Sequence, residues 1–159
     1  MNKYIGVKII EAEPMTADEA GEILHRPIDV SNADKEGNGY LVKYPDGYVS
    51  WSPKNAFEEA YRRVNNLTFG LAIEAMKKGH KVARAGWNGK GMWITISPGY
   101  KGLDAANFWN EHNRKAAELN GGKIDIPPYV TMKSADNKII CGWLASQTDI
   151  LAEDWQIVE

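Results

Sequence analysis

A β-hairpin with a glycine-rich bend is encoded by one stretch of the chain: Lys81-Val82-Ala83-Arg84-Ala85-Gly86-Trp87-Asn88-Gly89-Lys90-Gly91-Met92-Trp93-Ile94-Thr95-Ile96-Ser97. Its pattern predicts a strand over 81–85, a tight connection over 86–91 and a returning strand over 92–97. We call residues 86–91 the glycine loop. The residues with functional character therefore lie at the bend of a hairpin.

The neighbouring segments predict a helix before this hairpin and further hairpins after it. Thr68 is a suitable N-cap, and residues 69, 72, 73 and 76 keep the spacing of one buried helix face that ends at Gly79. Downstream, the composition predicts a helix over 103–119, strands over 129–133 and 138–143, a one-turn helix over 150–153 capped by residues 146–149, and a last strand over 155–158.

The first part of the chain predicts a smaller module. We expect a strand over 3–12 that includes Ile5, Val7 and Ile9 and ends at Pro14, then a helix over 17–24 with Thr16 and Glu19 as a capping box. Strands over 41–44 and 48–51 flank a turn, and Ser52-Pro53 predicts a cap and first-turn proline for a helix to about residue 63. We place a domain boundary at 63/64. The predicted fold class is α+β: a small α+β module over 1–63, then a domain over 64–159 with an antiparallel sheet of hairpins and a packed N-terminal helix.

Composition excludes several classes of function. The 159 residues carry a net charge of −2, so the large basic excess of a duplex DNA binder is missing. A lone cysteine excludes an internal disulfide framework and a multi-cysteine zinc site. No apolar run predicts a signal peptide or a membrane span, and we expect a soluble protein that stays where it is made. The lysines and arginine at 77, 78, 81, 84 and 90 form a local positive patch without an acid between them.

The six tryptophans are unusual for a chain of this length. Core packing is their ordinary role, and we expect it for Trp93, Trp109 and Trp155. Trp87 differs because its neighbours are turn-forming residues that leave little to pack around it. An indole at the edge of a loop is a stacking platform, worth about 1–3 kcal/mol against a nucleobase.

The glycine loop has the composition of an anion-binding bend. Glycines at 86, 89 and 91 allow backbone amides to converge, and Arg84 and Lys90 add positive charge. The spacing matches neither a Rossmann nor a P-loop fingerprint, and a plain hairpin turn is the alternative interpretation.

A second unusual segment follows Trp143, where the side chains of Ser146, Gln147, Thr148 and Asp149 are short and polar. Thr148 or Asp149 would serve well as a helix cap. The functional alternative is that these four side chains contact the ribose hydroxyls and base edges of a ligand, and both roles fit one loop.

Catalytic and metal-binding motifs are missing from the sequence. His25, His80 and His112 lie far apart and form no metal-binding pair, Cys141 is expected to be a buried inert thiol, and Glu153 and Asp154 are expected to be solvated. We therefore predict no catalytic residue, no metal and no cofactor.

Two motifs carry a resemblance to a known family. Residues 83–93 and 143–155, with Leu67-Thr68-Phe69-Gly70, resemble a small phage and prophage domain whose family contains the second class of Thoeris anti-defence proteins. The resemblance covers about residues 67–159. Residues 1–63, with residues 40–53 as the most similar part, resemble a segment frequent in phage proteins of unknown role, and we treat them as an accessory module.

The resemblance implies a sponge. Such a protein is a homo-oligomer, tetrameric in known members, that captures glycocyclic ADP-ribose messengers made by bacterial TIR proteins and holds them uncleaved in the cytoplasm of the infected host. Some members also hold cyclic di- or trinucleotides at separate sites. No duplex nucleic acid and no membrane is expected as a partner.

The resulting hypothesis assigns roles to individual residues. Phe69, Trp87 and Trp143 would stack on or enclose the adenine, Arg84 and the amides around Asn88 to Gly91 would meet the pyrophosphate, and Asn88, Thr148 and Asp149 would contact ribose hydroxyls. The remaining expected site residues are Gly89, Lys90, Met92, Ser146 and Gln147. Because a pocket in so small a domain would be shallow, we expect it at or near a subunit interface.

Three alternatives remain open at this point. The protein could hydrolyse the same messengers, or it could be a binding module of a phage assembly or regulatory complex with the aromatic residues as a protein interface. An oligonucleotide-binding role ranks last because the net charge is close to neutral.

Overall fold

The computed structural model describes residue 1 and residues 7–159. The chain divides into two compact units, Met1–Arg63 and Val64–Glu159. Both contain helices and antiparallel sheets, which confirms the α+β class. Within the described part of the chain, every helix is too short or too polar to cross a membrane.

The first unit is a three-stranded antiparallel sheet with two helices. Its order is β1-β2-β3, so β2 is the central strand. The elements in chain order are β1 (Glu11–Thr16), α1 (Ala17–Leu24), β2 (Asn38–Lys43), β3 (Val49–Pro53) and α2 (Lys54–Ala60). The predicted capping box is confirmed, since the hydroxyl of Thr16 accepts from the Glu19 amide and the Glu19 carboxylate accepts from the Thr16 amide.

Both boundaries of the first strand and both of the second helix differ from the prediction. Residues 3–6 of the predicted first strand, Ile5 included, lie outside the described residues, and residues 7–10 are not strand. Pro14 does not end the strand but lies inside β1, opposite Tyr40, because an edge strand tolerates a residue without an N–H. The second helix ends at Ala60, and its N-cap is Pro53, with no side-chain cap from Ser52.

Aromatic contacts hold α2 on this sheet. The rings of Tyr40 and Phe57 stack with centroids 4.1 Å apart, and Tyr61 lies 5.0 Å from Phe57. Val42, on the same face as Tyr40, is fully buried. A module this small thus obtains much of its core from aromatic rings.

The second unit is built on a five-stranded antiparallel sheet of order β10-β4-β5-β8-β9. Its elements in chain order are α3 (Phe69–Lys77), β4 (Lys81–Arg84), β5 (Trp93–Ser97), β6 (Tyr100–Asp104), a 3-10 turn (Ala105–Asn107), α4 (Glu111–Leu119), β7 (Lys123–Ile126), β8 (Tyr129–Lys133), β9 (Ile139–Cys141), α5 (Gln147–Ile150) and β10 (Trp155–Val158).

Helix α3 covers one face of this sheet. Its N-cap Thr68 accepts from the Leu71 amide, and its chain reverses at Gly79, whose φ is +92°. Ala72 and Met76 are buried against Ile94 and Trp155, so the predicted helix, its face and the hairpin of β4 and β5 are confirmed.

The predicted helix over 103–119 is wrong in its first half. Leu103 and Asp104 end strand β6 and pair with Ile124 and Lys123 of β7, which forms a separate two-stranded sheet. The side chain of Asn110 caps α4 by accepting from the amides of residues 112 and 113, so the helix begins at 111. Trp109 precedes this cap and is 94% exposed, so its predicted core position is also wrong.

Candidate functional site

Strand pairing brings the two unusual motifs of the sequence together. In the register of β4 and β10, Arg84 lies opposite Trp155. The glycine loop begins two residues after Arg84, and residues 151–154 connect α5 to β10. The amide of Ala85 donates to the carbonyl of Asp154 at 3.0 Å, which extends the pairing to the start of the loop. The glycine loop and the 143–149 segment are therefore neighbours at one edge of the sheet.

Arg84 connects both segments through two carboxylates. Its Nε donates to Oδ1 of Asp154 at 2.8 Å, and its Nη1 donates to Oδ1 of Asp149 at 3.0 Å. The amide of Gly86 donates to the second oxygen of Asp154 at 2.7 Å. We call Arg84, Asp149 and Asp154 the carboxylate network. The side chains of Arg84 and Asp149 are 19% and 13% exposed, so these contacts are only partly screened by water.

Both acids of the network stay ionised well into the acidic range. Burial acts to raise the pKa of Asp149, but hydrogen bonds from Ser146, Arg84 and Trp87 outweigh it and lower that pKa. The Arg84 hydrogen bond lowers the pKa of Asp154, against a smaller opposing effect of burial. The same two carboxylates raise the pKa of Arg84. The network thus holds one positive and two negative charges, a formal sum of −1.

Asp149 uses both of its oxygens within the protein. Oδ1 accepts from Nη1 of Arg84 and from Nε1 of Trp87 at 3.3 Å, and Oδ2 accepts from the amide and hydroxyl of Ser146 at 3.1 and 2.6 Å. Its backbone carbonyl accepts from Nε1 of Trp155 at 2.9 Å. One residue thereby fixes two indoles, the arginine and the first turn of α5.

Four aromatic rings pack beside this network, and we call Phe69, Trp87, Trp143 and Trp155 the aromatic cluster. Their contacts are edge to face except that of Phe69 with Trp155, which is tilted by 39°. Trp155 is fully buried, as predicted, and its ring centroid lies 5.3 Å from Phe69 and 5.4 Å from Trp87. Trp87 is half-buried in the cluster. The expectation that it has little to pack around it is wrong, because the loop folds back onto the core and α5.

The ring geometry limits how a planar ligand is bound. Trp87 and Trp143 are 6.1 Å apart with planes inclined by 68°, and Phe69 and Trp143 are 6.4 Å apart at 62°. A base inserted between two rings needs parallel planes, and these pairs do not provide them. A planar base would therefore have to stack on the outer side of a ring.

The backbone of the glycine loop offers unused donors. Within the described chain, the amides of residues 88–91 donate no hydrogen bond. Gly91 has a φ of +68°, a conformation that glycine adopts without strain. At Gly89 there is no room for a side chain, because an added Cβ would overlap the side chains of Met92 and Ala135. The bend is tightly packed at Gly89, and its amides from residue 88 to residue 91 have no acceptor within the described chain.

The other expected contact residues lie in the glycine loop and in the segment around α5. Asn88 and Lys90 are exposed, and Met92 is half-buried against the core. Ser146 is the N-cap of α5, so this helix begins earlier than the predicted 150–153. The Ser146 and Thr148 hydroxyls lie 2.8 Å apart, and Gln147 is exposed with no hydrogen bond of its side chain to any described residue.

Two predictions about acids and thiols are corrected. Asp154 is not a solvated charge but a member of the carboxylate network, whereas Glu153 is exposed. Cys141 is exposed on the edge strand β9 instead of buried. The described residues contain no group of three or more His, Cys, Asp or Glu side chains with the geometry of a metal site.

Asp154 and Lys133 are neighbours of the glycine loop that were not among the predicted site residues. Nζ of Lys133 donates to the carbonyl of Gly91 at 3.1 Å. The position of Lys133 follows from strand pairing. β8 pairs with β5, and Lys133 lies opposite Trp93, the residue that follows Met92 just after the loop. A prediction of the two strands without their pairing does not show that Lys133 lies beside the glycine loop.

A separate open depression of about 440 Å³ lies at the two-stranded sheet of β6 and β7. Its lining consists of Gly102, Asn120, Lys123, Ile124 and Asp125. None of the expected site residues lines it. The polar groups of its lining form hydrogen bonds with one another: Asp125 accepts from the Gly102 amide, and Asn120 donates to the Lys123 carbonyl.

The second unit is similar to known proteins. Residues 67–158 match the family model described as Tad2-like, the Thoeris anti-defense 2-like domain. The protein Thoeris anti-defense 2 of Bacillus phage SP01 is 42% identical over 94 residues, which span 58% of this chain and 94% of that protein. The match to the family model contains the glycine loop, the aromatic cluster and the carboxylate network.

Proposed function

The chain belongs to the Tad2-like family of Thoeris anti-defence proteins and thus has a phage anti-defence role, and we propose that it acts by binding immune messengers without cleaving them. The messenger class is a cyclic nucleotide, with glycocyclic ADP-ribose first and cyclic di- or trinucleotides second. The protein acts as a sponge in the cytoplasm of the infected bacterial host.

The observation that carries this proposal is the aromatic cluster beside unused backbone donors. A nucleotide messenger combines flat bases, phosphates and ribose hydroxyls. Phe69, Trp87 and Trp143 supply ring surface, and the free amides of residues 88–91 supply donors for phosphate oxygens. Asn88, Gln147 and Thr148 are exposed polar side chains within the same two segments and suit the ribose hydroxyls.

The carboxylate network changes two roles that the resemblance implies. Because both oxygens of Asp149 are used within the protein, we assign it to positioning the rings and not to contact with ribose. Arg84 is committed to two carboxylates, and within the described chain only its Nη2 group makes no hydrogen bond. Any phosphate contact of Arg84 uses that group.

Binding without cleavage agrees with the chemistry of the site. Asp149 and Asp154 have lowered pKa values and accept hydrogen bonds from fixed donors, whereas a general acid needs a pKa raised towards neutrality. Neither acid is suited to donate a proton to a leaving group near pH 7.

We further propose that the protein is a homo-oligomer, a tetramer by family resemblance, with its sites near subunit interfaces. The half-buried rings leave a shallow surface that a second subunit would deepen. Apolar side chains beside α5 are unusually exposed, with Leu144 at 92% and Leu151 at 71%. Such exposure next to a binding surface is typical of an interface.

Capture and release tests the proposal. The protein is mixed with glycocyclic ADP-ribose, freed of unbound ligand and heated, and the supernatant is analysed by mass spectrometry. We expect stoichiometric recovery of intact messenger and a nanomolar dissociation constant, about −12 kcal/mol. Recovery of cut products would show a hydrolase. Recovery of no nucleotide would favour a protein-interaction module and overturn the proposal.

A further inference from the structure

A lysine outside both sequence motifs lies against the glycine loop. Lys133 ends strand β8, and its Nζ donates to the carbonyl of Gly91 at 3.1 Å and to that of Ser134 at 3.5 Å. Both acceptors are neutral. In the ion pairs of the described residues, Lys133 has no carboxylate partner. No carboxylate of the described residues therefore neutralises the charge of the ammonium group, which has a third N–H beyond the two that it donates.

Lys133 and Arg84 differ in the charged groups that surround them. Arg84 lies between Asp149 and Asp154, so its immediate surroundings carry a formal charge of −1. An incoming phosphate meets repulsion there. Near Lys133, the acid of the following turn is Asp136, and Nζ of Lys138 pairs with it at 2.6 Å. Beside the exposed Lys90 of the loop itself, the positive charge at the glycine loop is thus supplied by Lys133 more than by Arg84.

The loop amides and the lysine surround the same backbone bend. An added Cβ at Gly91 would lie 3.7 Å from Nζ of Lys133, so the ammonium lies beside the Gly91 backbone. The amides of residues 88–91 form no internal hydrogen bond. Successive free amides in a glycine-rich bend, with a cation beside them, are the elements of an anion-binding concavity. A lysine serves there as a point charge.

We propose that Nζ of Lys133 and the backbone amides of residues 88–91 bind the phosphate groups of a phosphorylated nucleotide. This inference rests on the proposed function, because it assigns the phosphate-binding part of that site. It gives the phosphate contact from outside the glycine loop to Lys133, and not to Arg84.

Calorimetry with two probes tests this assignment. Lys133→Met is expected to weaken binding of glycocyclic ADP-ribose, which carries two phosphates, by about 10- to 100-fold, the usual effect of losing a hydrogen bond to a charged group. Binding of adenosine, which has no phosphate, is expected to stay unchanged. Lys133→Arg keeps the charge and is expected to recover most of the affinity.

Lys138→Met is the matched control, because it removes a lysine of the same hairpin whose ammonium is already paired with Asp136. It is expected to leave both affinities unchanged. Thermal denaturation of each variant checks that the fold is kept. Equal losses for both probes in Lys133→Met, or an effect no larger than that of Lys138→Met, would overturn the assignment.

A third probe separates this inference from the proposed function. If the wild-type protein retains no nucleotide, the proposed function fails, and inorganic pyrophosphate then tests the anion site alone. We expect pyrophosphate to shift the amide NMR signals of Gly89 and Gly91 in the wild type and not in Lys133→Met. Unshifted signals in the wild type would refute the anion site itself.

Discussion

The indole Nε1 of Trp87 donates a hydrogen bond to Oδ1 of Asp149, 3.3 Å away, and so links the glycine loop to the first turn of α5. The same carboxylate accepts from Arg84 and Ser146, and the Asp149 carbonyl accepts from the indole of Trp155. The position of the exposed ring surface is therefore set by a residue that has no free oxygen for a ligand.

Replacing this acid is expected to affect stability and binding together. Asp149→Ala leaves donors of Arg84 and Trp87 unpaired and removes the capping box of α5, so we expect a loss of about 1–3 kcal/mol in the free energy of unfolding, measured by urea denaturation. Ligand affinity, measured by calorimetry, falls because Trp87 is no longer held.

Asp136→Asn is the control for this experiment. Asp136 is also paired with a lysine, but it is exposed, and a surface pair contributes about 0–1 kcal/mol. We expect little change in the free energy of unfolding or in the ligand affinity. An Asp149 variant that lost affinity at unchanged stability would instead indicate direct contact between Asp149 and the ligand.

Trp87→Ala is expected to abolish the stacking surface. The expected loss is about 5- to 150-fold in affinity for a purine nucleotide, since stacking on an aromatic ring is worth about 1–3 kcal/mol. Because Trp87 is half-buried against Trp155, stability also falls, by about 2–3 kcal/mol. Trp109→Ala is the matched variant: its ring is 94% exposed, and both quantities should stay at wild-type values. Equal affinity of the two variants would rule out stacking on Trp87.

The carboxylate network predicts a specific dependence of stability on pH. The folded-state pKa of Asp154 lies below its usual value of 3.8, so the stabilisation from its ionised form is present above pH 3.8 and is lost as the pH falls through the folded-state pKa. Asp154→Asn lacks this contribution at every pH. Urea denaturation from pH 7 to pH 3 should therefore show that the wild type has a larger free energy of unfolding than the variant. This difference should narrow only below about pH 4. A difference of constant size would contradict the ion pair.

Two glycine substitutions are expected to have opposite effects. Gly89→Ala forces a Cβ into the side chains of Met92 and Ala135, and overpacking of this kind typically costs about 1–3 kcal/mol. Gly70→Ala lies in the first turn of α3 with open space around it, and alanine there is expected to stabilise by about 0.5–1 kcal/mol. Melting temperatures of the two variants should shift in opposite directions, and a neutral Gly89→Ala would show that the loop is not packed as described.

Elements whose signals are local in the sequence were predicted well. The capping box at Thr16, the helix after Thr68 and the hairpin around the glycine loop each depend on residues within a few positions of one another. The segment over 103–119 failed because helical composition does not reveal that Leu103 pairs with Ile124. Such pairing joins residues distant in the chain, and composition carries no information about it.

The same distinction applies to the candidate site. The two motifs were recognised from their own residues, but their contact depends on the pairing of β4 with β10, and the position of Lys133 depends on the pairing of β5 with β8. Arg84 was expected to be available for phosphate because its carboxylate partners lie 65 and 70 positions away in the chain. Charge compensation over such separations is visible only once the strands are aligned.

Three indoles of the aromatic cluster, those of Trp87, Trp143 and Trp155, lie edge to face with centroids 5.4–6.2 Å apart. At this spacing their electronic transitions couple, which produces paired bands of opposite sign in the circular dichroism spectrum. A purine stacked on the outer ring would perturb that couplet and quench the emission. The protein would then carry its own optical reporter of ligand binding, and no dye would need to be attached.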